Sequence, residues 1–270
     1  MTSSLPLEGI KARQQKTWAS GDYGAVAALI QPISESLAQA ADLSAGSRVV
    51  DVATGTGNAA IAAARCLCTV TGIDYVPELL DRARARAAAE HLPIDFVEGD
   101  AEALPSGDGE WDAVFSVVGV MFAPDQERAA AELTRVCRSG GTIALANWTP
   151  DGFIGELFRT IGRRVPPPPG VRAPAEWGSE PRLRELFGDR VRDVRVTPRE
   201  FVFRFRSAED FADFFRTHYG PTLKAFEALD EDHRKLLHAD LVELAGRYNS
   251  ATDGTTKIPA AYVEVLATRV

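Results

Sequence analysis

Three aspartates stand where short apolar runs give way to turns: Asp51 in RVVDVATGTGN, Asp74 in TVTGIDYVP and Asp100 in FVEGDAEALP. Beside the first, Gly55 and Gly57 form a glycine-x-glycine turn that runs into the alanine-rich stretch NAAIAAAR. A carboxylate at such a point can accept hydrogen bonds from hydroxyls or hold a cation, and a glycine turn ahead of a helix lets backbone approach a ligand closely. Read as G-x-G-x-x-A over Gly55, Gly57 and Ala60, the turn also satisfies the permissive form of the dinucleotide fingerprint. The carboxylates choose between these ligands. A dinucleotide brings two phosphates to the turn, where helix N–H groups welcome negative charge and a neighbouring carboxylate repels it. A ligand carrying an ammonium, a sulfonium, a ribose diol and an adenine suits three acids. The Tyr-x-x-x-Lys pair of many nicotinamide oxidoreductases is missing: none of Lys11, Lys16, Lys224, Lys235 and Lys257 follows a tyrosine at that spacing.

Such residues act together only if a scaffold brings them to one edge. Apolar runs at 48–53, 69–74, 94–97, 112–117 and 141–148 read as strands, and the segments 57–66, 77–90 and 126–137 between them carry helical patterns. Strands alternating with helices predict a parallel, Rossmann-like sheet covered on both faces, with ligands at the carboxyl ends of the strands. The later sequence predicts a helix over 151–164, a stiff PPPPG connector, a short helix over 180–188, two strands in VRDVRV and EFVFRFR, helices near 208–217, 221–229 and 231–248, and a last, antiparallel strand over 261–268. One α/β domain is expected: an N-terminal helical lid (1–45), a ligand-binding core (46–150), and outer strands with substrate-side insertions (151–270).

Composition removes several function classes. With 270 residues, 45% of them hydrophobic, the chain can bury one large core. A net charge of -8 opposes a nucleic-acid surface. The arginine groups Arg159, Arg163, Arg164 and Arg182 to Arg206 read as solvated faces. Neither end shows a signal peptide or a long apolar span, and Cys66, Cys68 and Cys137 make no disulfide framework, so a cytoplasmic protein with no membrane segment is expected. No metal site is expected, because the C-x-C pair has no second cysteine or histidine pair nearby.

The stretches VVDVATGTGNAA, VTGIDYVPELLDRAR, FVEGDAEALP, EWDAVFSVVGVMFAPD and ELTRVCRSGGTIALANW resemble, in order and spacing, the consecutive motifs of class I S-adenosylmethionine-dependent methyltransferases. The likeness is greatest to the small-molecule group that includes the ubiquinone and menaquinone biosynthesis enzymes. It implies S-adenosylmethionine as cofactor. It further implies that Asp51 serves the methionine ammonium through water, that the Thr54, Gly55, Thr56, Gly57 turn faces the methionine portion, and that Asp74, with Tyr75 beside it, accepts the ribose hydroxyls. Asp100 is the implied partner of the adenine amine, with the Ala101 N–H facing the ring, while Val117, Val118 and Met121 line the adenosine and reacting-methyl side. Tyr23 and Trp18, around a G-D-Y segment, match a lid that closes over the cofactor. Many members have glycine where Ala53 stands.

The reaction then needs an acceptor held in line with the S–CH3 bond and, for some acceptors, a base. His218, in RTHYGPT, is the expected base, ahead of Tyr219; His91, His233 and His238 read as solvated. Ten phenylalanines between Asp151 and Asn249 point to a small apolar or aromatic metabolite as methyl acceptor, at O, N, C or S. The alternative weighed against this is a non-catalytic protein that binds S-adenosylmethionine as a regulator or scaffold.

Overall fold

The computed structural model describes residues 7–270. Helices α1 (Leu7–Trp18) and α2 (Tyr23–Ala41) come first, followed by β1 (Arg48–Val52), α3 (Asn58–Arg65), β2 (Thr69–Asp74), α4 (Pro77–Ala89), β3 (Ile94–Glu98), β4 (Trp111–Val117), α5 (Gln126–Val136) and β5 (Cys137–Trp148). The second half adds α6 (Phe153–Arg164), α7 (Glu180–Phe187), β6 (Val191–Phe205), α8 (Ala208–His218), α9 (Gly220–Glu227), α10 (Glu231–Tyr248) and β7 (Thr256–Arg269). All seven strands join one sheet in the order β3-β2-β1-β4-β5-β7-β6. The first five run parallel, and β7 pairs antiparallel with both β5 and β6. This is the Rossmann-like sheet the alternation predicts, with its outer strands supplied by the tail.

Chain order reverses direction between β1 and β4, so the loops after these strands part and leave a crevice at their carboxyl ends. The central strands are apolar on both faces because helices cover both: β1 exposes only its first residue. Helix α3 is buried from Asn58 to Ala64, which its run of alanines permits, since small side chains let a helix sit close on all sides.

The tail departs from its sequence reading in instructive ways. VRDVRV and EFVFRFR are one continuous strand, β6, with the register shifting between Arg192 and Arg195 where Asp193 takes a left-handed φ of 53°. Pro198 is tolerated between them because β6 is the sheet edge, where a missing N–H on the outward side costs no ladder bond. Strand β7 begins earlier than expected, at Thr256; its first residues pair with β6 before β5 is reached, so Pro259 is tolerated. At the other end the described part of the segment expected to form a lid folds as two helices, α1 and α2, broken at Gly21 with φ of 70°.

Candidate functional site

The turn after β1 is built from residues in uncommon conformations. Ala53, Gly55 and Gly57 all have positive φ, at 55°, 55° and 86°. Ala53 thus adopts the left-handed backbone that glycine takes at lower cost, which gives a physical meaning to the departure at this position. Val118, just after β4, has φ of 51°. A β-branched residue there costs on the order of 1 to 3 kcal/mol and persists only when its surroundings fix it. They do: Val118 N–H donates to the Ala146 carbonyl (2.8 Å), and the Ser116 hydroxyl donates to the Val52 carbonyl (2.7 Å) while accepting from Val120 N–H (2.9 Å). Gly119 completes the close approach, since a Cβ there would stand 2.6 Å from the Ala53 carbonyl oxygen. The two strand ends on either side of the crevice are therefore bolted together.

The acids hold the turn from below. Asp51, 1% exposed, accepts from the Thr54 hydroxyl (2.5 Å) and the Ala60 N–H (2.9 Å), both on Oδ2. Its other oxygen takes no hydrogen bond from a described residue, a vacancy in bonding capacity that a cation or an ordered water fits. Asp74 accepts from Gly55 N–H (2.8 Å) on one oxygen and from Val76 N–H (2.9 Å) on the other, so it ties the turn after β1 to the start of α4. Burial pushes Asp51 up to about 7 and Asp74 up to about 6, against the pull of these hydrogen bonds. Asp74 lines the cleft, where a buried carboxylate this costly to ionise marks a ligand site, whereas Asp51 lies behind the turn and is not among the lining residues.

Two cavities meet at this edge. The first, about 650 Å³ out to its open mouth, is lined by Tyr23, Ala53, Gly55, Asp74, Tyr75, Asp100, Ala101 and Val118 among others. The second, about 360 Å³, is lined by Val26, Ile30, Trp148, Ile154, Leu157, Phe158, Phe203, Phe215 and Tyr219. Trp18, Tyr23, Val118 and Phe122 line both. The lining of the first, apolar walls with a few converging polar groups, is that of a ligand cleft.

Several expected residues lie elsewhere. Val118 lines the cleft and Val117 does not; the positive φ at Val118 re-aims the chain just after β4. Met121 is 0% exposed and belongs to the core. Thr54 and Gly57 are not among the lining residues, and Thr56 is taken by Arg86, whose guanidinium donates to its carbonyl (2.7 Å) and hydroxyl (3.1 Å). His218 lines neither cavity: its ring packs 4.7 Å from Phe214 and its backbone carbonyl accepts from Asp22 N–H (3.1 Å). The helix end turns its neighbour Tyr219 into the second cavity instead.

Helix α1 supplies what the sequence reading missed. Lys11 donates to Asp100 (2.6 Å) and pairs with Glu102, Gln14 donates to the Phe122 carbonyl (3.2 Å), and Gln15 donates to the Tyr75 carbonyl (2.5 Å). One helix thus grips the loops after β2, β3 and β4. Nothing in a lone Lys11 signals this, because its partners lie 89 or more positions away.

A parallel sheet whose strand-end carboxylates and glycine turn surround one cleft defines a nucleotide-binding α/β enzyme. Residues 49–141 match the model of a methyltransferase domain. An uncharacterized Mycobacterium tuberculosis protein, Rv1403c, is 43% identical over 239 residues, 87% of each chain. The demethylmenaquinone methyltransferase of Deinococcus radiodurans is 38% identical over 136 residues, 49% of this chain and 56% of that one. The solved YcgJ protein of Bacillus subtilis superposes with a TM-score of 0.63 at 18% identity, over 87% of this chain and 97% of that one. The chain belongs to the class I S-adenosylmethionine-dependent methyltransferases, and S-adenosylmethionine is its cofactor. Among the described residues no helix is long and apolar enough to cross a membrane.

Proposed function

We propose that this methyltransferase acts on a small apolar or aromatic metabolite, in the reducing cytoplasm. The observation that carries the reading is the second cavity: it shares four wall residues with the cleft, and no Asp, Glu, His, Lys or Arg lines it. A charged acceptor would be stripped of water there without a partner, whereas an apolar ring gains about 25 cal/mol per Å² buried. A nucleic acid is disfavoured by the same charge argument as before, and the arginines of the tail are engaged locally: Arg159 with Glu156, Arg164 with Asp240, Arg182 with Glu127, Arg184 with Glu180, and Arg206 with Asp210.

In this reading the unpaired oxygen of Asp51 serves the methionine ammonium through water, Gly55 leaves room for the methionine portion, and Asp74 takes the ribose hydroxyls on lone pairs not used by the two backbone N–H groups. Asp100 and Ala101 flank the adenine, with Lys11 competing for the Asp100 carboxylate. Tyr75 and Val118 wall the adenosine, and Tyr23 closes the turn from above. S-adenosylmethionine, when bound, supplies an electrophilic methyl on a sulfonium. The protein's part is to exclude water and hold the acceptor in line. His218 stands apart from both cavities, so the acceptor brings an already nucleophilic atom.

A methyl-transfer panel tests this. Small hydroxylated or aminated aromatics and terpenoids should be labelled, and tRNA, DNA and protein should not. Labelling confined to a macromolecule would overturn the reading.

A further inference from the structure

The second cavity is lined mostly by apolar side chains, and two tyrosine rings approach each other in its wall. Tyr219, 6% exposed, sits between α8 and α9 with its backbone fixed at both sides, its N–H donating to Phe215 (3.1 Å) and its carbonyl accepting from Leu223 (2.9 Å). Its ring is held by Trp18 at 5.7 Å and Phe215 at 5.6 Å, and faces Tyr23 at 6.5 Å. Tyr23 lines both cavities, so this is the end nearest the cofactor cleft. The Tyr219 hydroxyl makes no hydrogen bond to a described residue. Unlike the sealed and unpartnered Thr222 hydroxyl beside it in the chain, the Tyr219 hydroxyl is not closed off from solvent, so a ligand in the cavity can supply its partner.

We propose that Tyr219 is the acceptor-positioning residue: its hydroxyl binds the one oxygen substituent of an otherwise apolar, ring-sized acceptor and turns that substituent toward Tyr23 and the cleft. This rests on the second cavity being the acceptor site. Burial, with Tyr23 close by, holds the Tyr219 phenol well above its ordinary range, so at neutral pH it keeps its proton and donates a hydrogen bond rather than acting as a base. Phe203, Phe215 and Leu157 offer apolar contact, and the indole N–H groups of Trp18 and Trp148 are the other donors carried by wall residues besides the two phenols.

Naphthol and methylnaphthalene, which differ by a hydroxyl in place of a methyl, probe the chamber directly. Their binding is followed by quenching of tryptophan fluorescence at saturating S-adenosylhomocysteine, since Trp18 and Trp148 both line the cavity. The wild type should prefer naphthol by about tenfold, the worth of one hydrogen bond to a buried partner. Tyr219→Phe should bind the two equally while its S-adenosylhomocysteine affinity stays within about twofold of wild type. A merely structural tyrosine would change both probes alike. Absence of a preference in the wild type, its persistence in Tyr219→Phe, or its loss together with cofactor affinity would each overturn the proposal. If neither probe binds while S-adenosylhomocysteine does, the apolar acceptor site itself is refuted.

Discussion

Asp74 offers the sharpest test of the cofactor reading, because fastening the turn, which it does here, and accepting the ribose, which is proposed for it, respond to pH and mutation differently. Burial lifts its acid constant from 3.8 to about 6 in the protein without ligand. The sign follows from linkage: a raised value means that the native state binds the proton more tightly than the unfolded chain. This group's contribution to stability is therefore fully present below about pH 4 and is lost as pH rises through 6, by about 3 kcal/mol for a shift of two units. Cofactor binding runs the other way, since the ribose hydroxyls need the carboxylate. At pH 5 about nine-tenths of Asp74 is protonated, so affinity should be about tenfold weaker than at pH 7.5, and Asp51, at about 7, adds in the same direction. Asp74→Asn at pH 7.5 should weaken binding by about 10- to 150-fold, the 1.5 to 3 kcal/mol of a charged hydrogen bond. Its folding should barely suffer. The relief of roughly 3 kcal/mol offsets the 1 to 3 kcal/mol lost when one of the Gly55 and Val76 N–H groups loses its acceptor. Calorimetric titration from pH 5 to 8, beside thermal melts of both proteins without ligand, reads these quantities. A wild-type affinity flat across that range, or a variant that binds normally, would show that the carboxylate only holds the turn.

Three further perturbations follow from the geometry. Lys11→Met should speed S-adenosylhomocysteine release several-fold in stopped-flow measurements, and the wild-type rate should rise with salt while the variant's does not, because a partly exposed ion pair is screened; equal rates would mean α1 is held without the pair. Ala53→Gly should raise the melting temperature, or leave it unchanged, and keep cofactor affinity, since its left-handed φ costs alanine about 1 kcal/mol that glycine avoids; a loss of stability would contradict the strain argument. His218→Ala should retain methyl transfer at neutral pH, and a hundredfold drop in kcat with normal cofactor binding would restore the histidine as a base.

The sheet and its acids were legible because local patterns carry them. Asp51, Asp74 and Asp100 are read from the ends of apolar runs, whereas the switch between β1 and β4 is a matter of strand order, which alternation does not fix. Val117 and Met121 rested on the resemblance and not on a local pattern, and the positive φ at Val118 that re-aims the chain there has no signature in the sequence. The second cavity was not legible at all. Its walls come from α1, α2, β5, α6, β6, α8 and the helix junction at Tyr219, and each aromatic among them is indistinguishable in sequence from ordinary core. Phenylalanine richness pointed to the chemistry of the chamber but not to its members: Phe203 and Phe215 line it, whereas Phe153, Phe187 and Phe211 are fully buried in the core.

The division of labour between the two halves of the chain has a physical basis. The cofactor is built from charged and hydrogen-bonding groups, so residues that meet it must be particular types at particular strand ends, and a one-residue error reverses a side chain. An apolar acceptor asks only for volume and a surface without stranded charge, which many combinations of side chains can supply. The cleft therefore carries a pattern that survives in the sequence, while the chamber's specificity falls to the few polar atoms that reach it. Trp18, Tyr23, Val118 and Phe122 belong to both cavities, so whatever orders α1 and the start of α2 around one ligand also shapes the wall met by the other. Any affinity that the acceptor gains from a bound cofactor must be returned equally to the cofactor by a bound acceptor.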